Sequence, residues 1–97
     1  MARPLKCRQI SAAPKAYYFK PRAVPLCELE EVVLRLDEFQ ALKHSELEQL
    51  DQNAAADKMK ISRQTFGNIL ASARRKLADA VVNGKALAIE GGGGHGK

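Results

Sequence analysis

The sequence predicts a mainly α-helical domain, three helices containing a helix-turn-helix, with an extended proline-rich N-terminal arm and room for a short β element. Three observations carry this. All four prolines, Pro4, Pro14, Pro21 and Pro25, lie within residues 1–27, and prolines this closely spaced exclude a long helix there. Apolar residues then recur at Phe66, Ile69, Leu70, Ala73, Leu77, Ala80 and Val81, the i, i+3, i+4, i+7 pattern of one buried helix stripe. Asp51 and Ser62 each precede a helix-forming run and suit the N-cap position, where a side-chain oxygen accepts an orphan backbone N–H.

Taken in order, residues 1–27 form the basic extended arm. Tyr17, Tyr18 and Phe19 are three of the chain's five aromatics, so part of the arm is expected to dock on the body, and Tyr17–Lys20 suits a short strand. "LEEVVLRL", Leu29–Leu36, is ambiguous: Val32 and Val33 favour a strand, the glutamates a helix. Asp37 reads as a cap and Glu38 as a first-turn acid, which places a short helix over Glu38–Ser45. Asp51 caps a second helix, Gln52–Met59, whose Ala54, Ala55 and Ala56 allow another helix to come close. Lys60 and Ile61 form a turn. Ser62 caps the longest helix, which runs to about Val82, and Asn83-Gly84 is a stop signal. "KALAIEG", Lys85–Gly91, suits a short strand. The folded domain therefore spans residues 28–90, and residues 91–97, "GGGGHGK", form a flexible tail.

The 97 residues suffice for one core. No apolar run approaches the ~20 residues a membrane helix needs, and the basic N-terminus lacks the apolar stretch of a secretory signal. A cytoplasmic protein without membrane contact is expected. Cys7 and Cys27 fit no CxxC pattern and are expected reduced; with only His44 and His95 as nitrogen ligands, neither a metal site nor any cofactor is expected.

The net charge of +5 is unevenly distributed. Residues 1–27 hold six bases and no acid, residues 28–57 nine acids against two bases, and residues 58–78 six bases and no acid. A merely soluble surface would mix its signs. Two basic blocks around an acidic one point to a face that meets a polyanion.

A capped short helix, a tight turn and a second capped helix make the helix-turn-helix pattern. Ala56 supplies the small residue at the helix crossing, and Ile61 the apolar plug beneath the turn. Phe66, Ile69 and Leu70 bury the inner face of the second helix. Arg63, Gln64, Gly67 and Asn68 lie largely on the other side. Arginine can bridge guanine O6 and N7, and glutamine or asparagine can do the same at adenine N6 and N7. Gly67 costs about 1 kcal/mol of helix propensity against alanine and would let the helix sit deep in a groove. Ser62, Thr65 and the free amides of the helix start could anchor phosphate. Arg74, Arg75 and Lys76, further along, would reach flanking phosphates or solvate the helix end.

"DQNAAADKMKISRQTFGNILASARRKL" resembles the helix-turn-helix of sigma factor region four. With "LDEFQAL", "GKALAIEGG" and the basic, proline-containing start, most of residues 3–92 resembles the uncharacterised protein family 0251. That family consists of small bacterial and archaeal predicted DNA-binding proteins. The resemblance implies DNA binding and transcriptional regulation but no particular target. At the turn position usually held by glycine this chain has Lys60, where a left-handed backbone would cost about 1 kcal/mol.

The expected function is sequence-specific double-stranded DNA binding, with the arm adding phosphate or minor-groove contacts. A homodimer is also expected, with Ala80, Val81 and "KALAIEG" as its surface. The alternative is a protein-interaction module that docks on RNA polymerase or another protein through the acidic block. An enzyme is not expected: Asp37 and Glu38 are explained as cap and first-turn charge, and "GGGGHG" lacks the strand-to-helix setting of a phosphate loop.

Overall fold

The computed structural model describes residues 14–91. The first half of the arm and the tail beyond Gly91 lie outside them. The elements are β1 (Tyr18–Phe19), β2 (Glu31–Leu34), α1 (Leu36–Leu42), α2 (Gln52–Met59), α3 (Arg63–Asn83) and β3 (Ala86–Ile89). A short 3-10 turn occupies Leu26–Glu28, and a π turn, Lys43–Leu47, continues α1. The domain is mainly helical with a small three-stranded sheet.

The sheet order is β1-β3-β2. β3 pairs antiparallel with β1, Tyr18 opposite Ala88, and parallel with β2, from Glu31 opposite Ala86 to Leu34 opposite Ile89. A parallel pair needs a long crossover, and here the crossover is all three helices. This settles the ambiguous Leu29–Leu36 stretch as a strand over Glu31–Leu34. All four residues of β3 are buried. The arm contributes β1, so the short β element is a three-stranded sheet.

α1 starts before the expected Glu38. Arg35 is its cap residue, in extended conformation. The capping is done from inside the helix: Glu38 reaches back and accepts the Arg35 backbone N–H at 2.8 Å, the acceptor half of a capping box. Asp37 instead accepts the Arg35 guanidinium at 3.0 Å and 3.2 Å. After Leu42 the helix widens, and Glu48 N–H donates to Lys43 C=O at 2.9 Å.

α2 and α3 follow their caps. Asp51 Oδ1 accepts Ala54 N–H at 2.8 Å, and Ser62 Oγ accepts Thr65 N–H at 3.1 Å. Lys60 ends α2 in the left-handed region, φ 60° and ψ 43°. Ile61 N–H then closes on Ala56 C=O and Lys60 N–H on Asp57 C=O, both at 3.1 Å. That is the Schellman pattern, which favours glycine where Lys60 stands.

Two apolar clusters hold the layers together. Ala41, Ala55, Ala56, Phe66 and Leu70 join the three helices, and Leu34, Ala73, Ala80, Leu87 and Ile89 join α3 to the sheet. The second cluster corrects the expected dimer surface. Ala80 and the strand Ala86–Ile89 are buried inside the domain, because β3 is the central strand, and of that set Val81, Glu90 and Gly91 are exposed while Lys85 is half-buried.

Candidate nucleic-acid interface

The first turns of α3 divide into two faces. Phe66 is fully buried and Leu70 is 2 % exposed, so they fix the helix to α1 and α2. Ser62, Arg63, Gln64, Thr65 and Asn68 are exposed. At about 100° per residue, Gln64, Asn68, Ala71 and Arg75 share one stripe, opposite Phe66, Leu70 and Ala73. All four are exposed, and Gln64 to Arg75 covers about 16 Å of helix.

Gly67 is half-buried beside the start of α2. A Cβ there would lie 3.5 Å from Gln52 Oε1, an ordinary contact, so packing within the domain does not require glycine. Ser62 is a structural cap: besides accepting Thr65 N–H it donates to Thr65 Oγ1 at 2.9 Å. The Thr65 hydroxyl hydrogen remains available to an outside acceptor.

The basic residues of residues 58–78 separate into two groups. Arg74 is held by Glu46, through both Nε (2.9 Å) and Nη2. Lys76 donates to Glu38 Oε1 and to Val33 C=O, both at 2.8 Å. Lys58 lies 3.7 Å from Glu48. Two residues expected to reach phosphates, Arg74 and Lys76, are thus engaged within the fold. Lys60, Arg63 and Arg75 form no ion pair among the described residues. No acid lies in the first turn of α3.

The acidic block is not one free acidic face. Glu38 is 1 % exposed and bonded to Arg35, Ser72 and Lys76. Hydrogen bonding by Arg74 holds the Glu46 carboxyl below its ordinary range. Lys43 and then His44 pull Glu48 down to about 2. Glu31 accepts the Tyr18 hydroxyl at 2.7 Å, and Lys85 stands near Asp79 and Glu30. The longest of these links, Lys85 with Glu30, joins residues 55 positions apart in sequence, and no local pattern announces them. Among the described residues, no cluster of His, Cys, Asp and Glu is arranged to hold a metal ion, and no helix is long and apolar enough to cross a membrane. Cys27 is free and exposed; Cys7 and His95 lie outside the described residues.

A family described as "Protein of unknown function DUF134" matches residues 1–95. The chain is 51% identical over 92 residues to a UPF0251 protein of Caldanaerobacter subterraneus subsp. tengcongensis, covering 95% of this chain and 78% of that protein. It is 50% identical to a UPF0251 protein of Prosthecochloris aestuarii, over 93% of this chain and 58% of the relative. A UPF0251 protein of Methanocella arvoryzae is 52% identical over 95% of this chain and 55% of its own length. No solved structure matches significantly. The chain belongs to this uncharacterised family, which has members in bacteria and archaea.

Proposed function

We propose that this member of the family binds double-stranded DNA sequence-specifically, with α2 and α3 acting as a helix-turn-helix of the sigma region-four kind, and serves as a transcriptional regulator in the cytoplasm. The observation that carries this is the outer stripe of α3, with Gln64, Asn68 and Arg75 on it, together with Arg63 at the helix start, about 100° round from Gln64. Arg63, Gln64 and Asn68 are exposed and make no side-chain hydrogen bond or ion pair among the described residues. Phe66 and Leu70, interleaved with them, hold the helix rigidly from below. A buried stripe under an unoccupied cationic and amide stripe is what base reading requires.

Each residue has a chemical part. Arg63 suits guanine, and Gln64 and Asn68 suit adenine. The open backbone amides of the α3 start and the Thr65 hydroxyl suit a phosphate. Gly67 lets the helix approach the groove floor. Arg75 lies about 18 Å along the axis from Arg63, more than the ~12 Å width of the major groove, and so reaches the far backbone. Lys60 stands at the near side. Arg74 and Lys76 contribute through the fold. The basic arm adds phosphate or minor-groove contacts.

Docking on RNA polymerase through the acidic block has less support, because Glu38, Glu46 and Glu48 already hold Lys76, Arg74, Lys43 and His44. Selection from a pool of random duplexes tests the DNA function. Enrichment of one short motif is expected, and the Arg63→Ala, Gln64→Ala double variant should lose the preference. Failure of the wild-type chain to enrich any motif would count against sequence-specific binding.

A further inference from the structure

An open groove lies toward the C-terminal end of α3, away from Arg63, and the proposed DNA contacts leave it unused. It measures about 970 Å³, at the upper end of the ~300–1,000 Å³ usual for small-molecule sites. Phe39 and Leu42 of α1, Leu77 and Val81 of α3, and Phe19 and Leu87 of the sheet wall it. Phe19, Leu47 and Val81 at its mouth are 52%, 81% and 79% exposed. Large apolar side chains gathered around one concavity mark a binding surface, whereas scattered ones do not.

The charge at the mouth says what kind of ligand fits. Among the described residues, Lys15, Lys20, Lys43 and Lys85 border the groove, against a single carboxylate, Glu46, which Arg74 already neutralises. Lys43 and Lys85 have carboxylate partners of their own. Lys20 donates only to the Pro21 carbonyl, and Lys15 has no hydrogen bond or ion pair among the described residues. Lysine stems can lie along an apolar wall while their ammonium groups stay at the water boundary. A symmetric contact with a second copy through this face would set two lysine rims against each other.

We infer that the groove binds an amphiphilic anion, with its apolar body between α1, α3 and the sheet and its anionic head at Lys15 and Lys20. This is independent of the DNA function. The test is calorimetric titration of the full chain with dodecanoate, dodecyl phosphate and dodecylammonium, each below its micelle concentration. One-to-one saturable binding of at least one anion is expected, with dodecylammonium weaker by about tenfold or more because opposite charge attracts at the mouth and like charge repels. Which anion binds more tightly tells a carboxylate head from a phosphate head. Lys15→Glu with Lys20→Glu, and separately Val81→Asp, should each weaken the anion by a similar factor. All three positions are at the surface, and circular dichroism checks that the fold is kept. No saturable anion binding, equal binding of the cation, or variants that bind as wild type would overturn the inference. So would a wild-type dimer that Val81→Asp dissociates, which would give the groove to a second copy.

Discussion

Replacing Glu38 with glutamine perturbs the joint that ties α1, α3 and β2 together. The carboxylate is 1 % exposed and takes three donors: Arg35 N–H at 2.8 Å, Ser72 Oγ at 2.5 Å and Lys76 Nζ at 2.8 Å. Lys76 passes the connection on to the Val33 carbonyl. Burial opposes ionisation of Glu38, but the hydrogen bonds from Lys76, Ser72 and Arg35 outweigh it and hold the carboxyl below its ordinary range. Glutamine keeps one acceptor oxygen and turns an NH2 toward a former donor. Breaking a fully buried pair costs about 3–5 kcal/mol. The Lys76 side chain is 30% exposed and can return to water, so a loss of about 2–3 kcal/mol is expected. In a domain of this size that lowers Tm by roughly 10–20 °C. A carboxyl whose folded pKa is depressed stabilises fully above its unfolded pKa and loses that contribution as pH falls through the folded value. Urea denaturation should therefore find a wide gap between wild type and variant at neutral pH and a narrowing gap in acid. A gap below about 1 kcal/mol at neutral pH, or one that acid does not narrow, refutes the ionised joint.

Other outcomes follow from single positions. Lys60→Gly should stabilise the fold by about 0.5–1 kcal/mol, read as a higher urea midpoint at unchanged m, because it relieves a left-handed lysine. Gly67→Ala should stabilise α3 by up to about 1 kcal/mol yet weaken duplex binding; thermal melts and fluorescence anisotropy of the same sample read both. Ser62→Ala should cost about 1 kcal/mol through loss of the cap, measurable by denaturation. Phe66→Ala should cost about 3–5 kcal/mol, enough in a domain this small to depress the circular-dichroism signal at 37 °C.

The parts of the molecule that obey local rules were legible in the sequence, and those that depend on distant partners were not. Asp51 and Ser62 cap α2 and α3 where expected because each needs only its own next turn. Gly84, at φ 68°, ends α3. Lys60 takes the left-handed conformation that the turn position demands, despite its side chain. α1 was misplaced because its cap is Glu38 acting backward from the third helical position, which from sequence looks like a first-turn acid beside the more obvious Asp37. The sheet needed β2 and β3 to meet across three helices, and no propensity in Val32 or Leu87 carries that pairing. The outer stripe of α3 was readable because the apolar period defines its opposite face. The division of the bases was not: Arg74 and Lys76 flank Arg75 in sequence, but helical geometry turns them to opposite sides, toward Glu46 and Glu38.

Duplex binding as a function of salt tests the central claim most directly. A fluorescent duplex carrying the selected motif would be titrated at about 50 and 200 mM salt with wild type and with Arg63→Ala, Gln64→Ala. Affinity of the wild type is expected to fall steeply with salt, with a log–log slope of about −0.9 for each phosphate neutralised by Lys60, Arg75 and the arm. The double variant should keep that slope and lose roughly tenfold or more in affinity, since a good bidentate base contact is worth about 1–3 kcal/mol. No duplex bound by the wild type at low salt, or a double variant that binds the motif as well as wild type does, would contradict the account.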